Sequence, residues 1–99
     1  MALMQIAVIP LATPSTSLSP YIAALHRELQ NAGATYRLTD MGTIIEGKVE
    51  KLWGIAAKLH QLPFEQGVSR VVTSIQIDDR RDKQVALGDK IDSVNRFLR

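Results

Sequence analysis

The chain has 99 residues, 45% of them apolar, with twelve Lys and Arg against ten Asp and Glu, which suits one domain, residues 1–99, with a modest core. A net charge of +2 is too balanced for a nucleic-acid footprint, and the lack of cysteine excludes disulfides and thiolate chemistry. No apolar run reaches membrane-span length, and the opening "MALMQIAVIPLA" lacks the basic residues of a secretion signal, so a cytoplasmic location is expected.

Residues 3–9, "LMQIAVI", alternate as a strand with Met4, Ile6 and Val8 on one face and Leu3, Gln5, Ala7 and Ile9 on the other. Pro10 ends it, and the loop "PLATPSTSLSP" is rich in turn formers and hydroxyls, among them Thr13, Ser15 and Ser17. Ser17 or Ser19 is placed to cap a first helix that has Pro20 in its first turn. Leu18, Tyr21, Ile22, Leu25, Leu29 and Ala32 follow helical spacing, and Gly33 suits the C-terminal cap.

"TYRLT" (35–39) predicts a short strand, "DMG" a tight turn, and "TIIEG" (43–47) the returning strand. A second helix is expected from about Lys48 to Leu62, with Val49, Leu52, Trp53, Ala56 and Leu59 as its buried stripe and Pro63 as its stop. The β-branched run "SRVVTSIQID" (69–78) is the longest strand, and "DDRRDK" a charged turn. Leu87, Ile91, Val94 and Leu98 then mark a third amphipathic helix.

This order is the ferredoxin-like α+β pattern, βαββαβ with a four-stranded antiparallel sheet and an extra C-terminal helix. The first and third strands are expected at the centre, running the same way, with their ends and both helix starts at one end of the sheet. Both helices cover one face. The other stays open and carries Gln5, Ala7, Val72, Ser74 and Gln76, and strand four forms a long edge without proline. An open face and an unprotected edge together predict a homo-oligomer.

Glu46 follows two isoleucines that read as buried strand, and alternation turns it to the open face if Ile45 faces the helices. Its carboxylate either complements the N-terminus of the second helix or looks into a pocket shared with Thr13, Ser15 and Ser17. Gly47 beside it permits a turn or the close approach of a ligand. Thr13 and Ser17 have an alternative reading as turn and capping residues.

His26 and His60 lack companions at catalytic spacing, and Asp78, Asp79 and Asp82 stand among arginines that compete with any cation, so neither catalysis nor a metal is expected. Trp53 reads as core, with stacking on a ligand as the alternative. The central strands lack the aromatics that stack single-stranded RNA, and the first loop lacks the phosphate-cradling glycines of acylphosphatases.

The blocks "IPLATPSTSLSPYIAAL", "YRLTDMGTIIEG", "GVSRVVTSIQIDDRRDK" and "KIDSVNRFL" resemble the thiamine-binding protein family over residues 6–98, with Ala12 where family members often carry glycine. The resemblance implies a non-catalytic binder of thiamine or its hydroxymethylpyrimidine half, assembled as a dimer of dimers, with no further cofactor. It is compatible with a site of Thr13, Ser17, Met41, Gly42, Thr43, Glu46 and Gly47, in which hydroxyls give direction and Met41 an adaptable wall. Strand spacing sets Met41 and Thr43 roughly 10 Å from Glu46. The alternative function is a structural or regulatory interaction module whose open sheet serves self-association alone.

Overall fold

The computed structural model describes residues 1–14 and 17–98. Its elements run β1 (Ala2–Pro10), α1 (Ser19–Asn31), β2 (Thr35–Thr39), β3 (Gly42–Gly47), α2 (Val49–Glu65), β4 (Val71–Asp78) and α3 (Asp89–Leu98). The strands form one sheet in the order β2-β3-β1-β4, every neighbouring pair antiparallel. This is the expected ferredoxin-like α+β fold with its added helix.

One expectation about its interior is overturned. β1 and β3 run in opposite directions, with Leu3 facing Glu46 and Ile6 facing Thr43. The reason lies in the connections. The helix crossover makes β1 and β2 parallel, and β3 returns from β2 by a hairpin into the gap between them, so it opposes both. The end of β3 therefore lies beside the start of β1, not beside its end.

Alternation along β1 is complete: Ala2, Met4, Ile6 and Val8 are buried beneath the helices, as expected for the larger set. Ile45 from β3, Leu25 and Leu29 from α1, and Leu52, Ala56 and Leu59 from α2 complete this core. In α1 the expected serine cap is replaced: Leu18 occupies the N-cap, Pro20 sits in the first turn, and the Ser17 hydroxyl accepts a long 3.5 Å bond from the Ser19 N–H. Gly33 closes α1 as expected, its N–H donating to the Gln30 carbonyl.

α2 continues through Pro63 to Glu65. The proline ring is fully buried, and so near the C-terminus it removes one helical hydrogen bond without ending the helix. The stop falls at Gly67, whose φ of 87° lets Val68 N–H reach back to the Pro63 carbonyl at 3.1 Å. Trp53 is not core but 55% exposed. The buried line follows Leu52, Ala56, Leu59 and Pro63, and Trp53 lies about 100° round from Leu52. There it shares a groove of about 280 Å³ with His60, Thr73 and Ile75 along the outer side of β4.

Ala12 has a φ of 55°, the left-handed region that costs a residue with a Cβ roughly 1–2 kcal/mol. Ala12→Gly should therefore raise stability by about 0.5–1 kcal/mol, once the larger unfolded-state entropy of glycine is subtracted. Urea titration checks this, and a less stable variant would show that the turn does not hold that conformation.

Candidate functional site

The register distributes the expected site residues over two ends and two faces of the sheet. Glu46 lies on the open face, half-buried, between Leu3 of β1 and Thr35 of β2. That orientation is the expected one. Thr13 and Ser17 follow the other end of β1, seven residues beyond Leu3 by the time Pro10 is reached, or roughly 23 Å at strand spacing. The expected meeting of this loop with Glu46 in one protomer is therefore corrected, because β3 is antiparallel to β1. Ser15 lies outside the described residues.

Asp40 and Met41 form the β2–β3 turn and Gly42 opens β3, at the same end as the loop with Thr13 and Ser17. The Thr39 hydroxyl organises this turn, donating to the Gly42 carbonyl at 2.9 Å and accepting from Met41 N–H at 3.3 Å. The Met41 side chain is 80% exposed. Thr43 alternates to the other face and is 5% exposed within the helix-side core. Gly47 is buried on that same side, and a Cβ there would meet the Leu52 side chain at 3.5 Å, an ordinary contact. Its place beneath α2, rather than an approaching ligand, accounts for its burial. Of the seven expected residues, Glu46 alone brings a charged side chain, half-buried, to the open face.

Around Glu46 the open face has a definite chemistry. A hollow of about 520 Å³ is lined by Leu3, Gln5, Ile44, Gln76, Ile77, Asp78 and Lys90. Gln5 faces Gln76 across β1 and β4 and Ile44 across β1 and β3, so amide and aliphatic groups lie side by side in the sheet. Glu46 borders this lining, directly opposite Leu3 and two residues beyond Ile44 on the same face. Among the described residues its carboxylate has no hydrogen-bond or ion-pair partner. Arg37 faces Ile44, a diagonal neighbour of Glu46 at about 7–8 Å. The volume falls in the range of small-molecule sites, roughly 300–1,000 Å³.

Gln5, Gln76 and Arg37 were not among the expected ligand residues. The signal for the glutamines was present, as each interrupts an otherwise β-branched or aliphatic strand. Arg37 becomes a neighbour of Glu46 only through the β2–β3 register.

Most of the other polar groups are partnered locally, the exception among the described residues being the buried His26 Nε2. In "DDRRDK", Arg80 forks onto Asp82 at 2.6 and 2.9 Å and Arg81 binds Asp79 at 2.8 Å, all exposed. These bonds hold the Asp82 and Asp79 carboxyls below the ordinary carboxylate range. Depressed acids add stability only above their unfolded pKa and lose it as pH falls through the folded value, and solvent screening makes that contribution slight here. Lys90 binds Asp78 at 3.0 Å, tying the start of α3 to the end of β4. His60 Nδ1 lies 2.7 Å from the Thr73 hydroxyl, and His26 packs edge-on against Tyr36 at 5.0 Å. No group of three or more potential metal ligands exists among the described residues, and none of their helices is long and apolar enough to cross a membrane.

The fold is that of a small ferredoxin-like protein with an appended C-terminal helix. Residues 4–95 match the family described as thiamine-binding protein, and the chain belongs to that family. It is 41% identical to the UPF0045 protein YqgV of Bacillus subtilis, over 99% of this chain and 98% of the relative. It is 40% identical to a UPF0045 protein of Methanothermobacter thermautotrophicus, covering 91% and 92% of the two chains. Its fold superposes on a hypothetical protein of Methanocaldococcus jannaschii with a TM-score of 0.85 at 24% identity, over 95% of each chain. It also superposes, at 0.77 and 22% identity over 94% and 97% of the chains, on a Thermotoga maritima protein described as a candidate for thiamine biosynthesis or salvage.

Proposed function

We propose that this chain is a non-catalytic, cytoplasmic binding protein for thiamine or its hydroxymethylpyrimidine half, working as a homo-oligomer arranged as a dimer of dimers. The observation that carries the ligand reading is the unpartnered, half-buried Glu46 carboxylate bordering a hollow of aliphatic and amide side chains. An aminopyrimidine offers donors and acceptors along one edge. The Gln5 and Gln76 amides present both kinds of group. Glu46 accepts from the exocyclic amine or offsets the thiazolium charge, and Leu3 and Ile44 supply the apolar floor. Family membership supports the choice of ligand. Thr13 and Ser17 cannot reach a ligand held by Glu46 of the same protomer, so any part they play is in a separate contact or across an interface.

Self-association is supported by the exposed edge of β4, which pairs on one side with β1 alone, and by the half-apolar open face. Those same two features favour the second reading, an interaction module without a small ligand.

Calorimetry with thiamine and with hydroxymethylpyrimidine separates the two. Wild-type protein should bind one of them, and Glu46→Gln should weaken that affinity by at least tenfold, about 1.4 kcal/mol. Unchanged affinity in the variant removes Glu46 from the site. No heat and no thermal shift with any fragment favours the ligand-free module.

A further inference from the structure

The hollow beside Glu46 has two chemically different ends. β1 pairs Leu3 with Glu46 on one side and with Asp78 on the other, so the three residues form one row across the open face. The Asp78 carboxylate accepts from Lys90 of α3 at 3.0 Å. Two strand spacings, roughly 10 Å, separate the backbone at the ends of this row. A ligand lying along it therefore meets an acid at one end and an ammonium at the other. The start of α3 stands over this face, since a Cβ at Gly88 would lie 3.7 Å from the Arg37 guanidinium of β2.

The lysine end does not close the hollow. Asp78 and Lys90 line both it and a second cavity of about 680 Å³, between the turn that follows β4 and the flank of α3. A ligand seated in the first can extend past Lys90 into the second. Cations outnumber acids in that cavity by four to three. Arg80 and Lys90 are matched by Asp82 and Asp78. Lys83 and Arg96 pair with no carboxylate among the described residues, and Arg96 donates to the Ser93 hydroxyl at 3.1 Å. Of the acids, Asp89 accepts from Ala86 N–H at 2.8 Å, which leaves Asp92 to oppose the two unpaired cations.

Lys90 serves such an extension without releasing Asp78, because an ammonium has three donors and this bond uses one. Both partners are also largely exposed, at 77 and 52%, so the pair is loosely held. The anion suited to this end is a phosphate monoester. It carries about −1.5 to −2 charge near neutral pH and three strong acceptor oxygens, which ammonium and guanidinium groups take in short charge-assisted bonds. A carboxylate would bring less charge and fewer acceptors to a cleft whose cations stand on two elements, the turn and α3.

We infer that the hollow takes its ligand by preference as the phosphate monoester, with the aminopyrimidine at Glu46 and the phosphate beyond Lys90, between Lys83 and Arg96. The inference rests on the ligand reading proposed above and adds the chemical form in which that ligand is held. Lys83 and Arg96 thereby become specificity residues, distinguishing ester from free alcohol at a distance from the pyrimidine.

Calorimetry of the full chain at low salt tests it, with hydroxymethylpyrimidine, thiamine and the phosphate monoester of each. At least one ester should bind about tenfold or more tightly than its own alcohol. That advantage should shrink as salt is raised, because screening weakens exposed charge pairs. Lys83→Gln combined with Arg96→Gln should abolish the advantage while keeping affinity for the alcohol within about twofold. Both residues are exposed, so far-UV circular dichroism should stay unchanged. Lys90→Gln should weaken the ester more than the alcohol. Equal affinities for ester and alcohol in the wild type, or a double variant that loses both equally, overturns the phosphate end and leaves the binding function standing. Binding of none of the four compounds overturns the binding function and this inference with it.

Discussion

Leu52→Ala should unfold at a far lower urea concentration than the wild type, with a loss of about 2–5 kcal/mol. Leu52 is completely buried at the point where α2 crosses the sheet, its side chain resting over Gly47 and within the cluster of Met4, Leu29, Ile45 and Leu59. Truncation removes apolar burial and leaves a cavity that a rigid strand on one side and the second turn of α2 on the other cannot close. In a domain this small each kcal/mol corresponds to roughly 4–8 °C of melting temperature, so thermal unfolding should fall by at least about 8 °C. Trp53→Ala, one residue along, is the control and should cost the monomer under about 1 kcal/mol. Equal losses in the two variants would mean that α2 is rotated from the position described.

The second large effect is expected at Gly42. A Cβ there would stand 2.9 Å from the carbonyl oxygen of Ile6, and the residue's φ is 157°. Ile6 belongs to the central strand, paired on both sides, so its backbone cannot retreat. Gly42→Val should therefore cost about 2–4 kcal/mol through displaced backbone and strain. Gly33→Ala is the informative comparison, because nothing lies within 4 Å of a Cβ at that position and its cost is conformational alone. Matching unfolding midpoints for wild type and Gly42→Val would rule out the close approach of β3 to β1. Gly42 is thus an expected site residue whose demonstrable role is to let the hairpin close against β1.

Most of the fold was readable along the chain. The two-residue alternation of β1, the spacing of Leu25 and Leu29, and that of Leu52, Ala56 and Leu59 each report which side of an element meets the core, and burial follows them. The orientation of Glu46 was legible for the same reason, since consecutive strand residues must face opposite ways. Trp53 and Pro63 misled because a helical stripe has soft margins. A residue 100° from its centre can go either way, and a proline near a C-terminus removes only one bond.

What lies near Glu46 was a different matter. Its distance from Thr13 and Ser17, its diagonal relation to Arg37 and its place beside the Gln5–Gln76 pair all depend on strand direction and register. Those are set by how a hairpin inserts between two parallel strands, a long-range pairing that no local pattern encodes. The chain by itself determined its elements, their buried faces and the outward turn of one acid, because periodicity and side-chain size act within a few residues. Only the tertiary structure decided which polar groups share a hollow and that α3 stands uncovered, because proximity between distant segments is fixed by packing of the whole sheet.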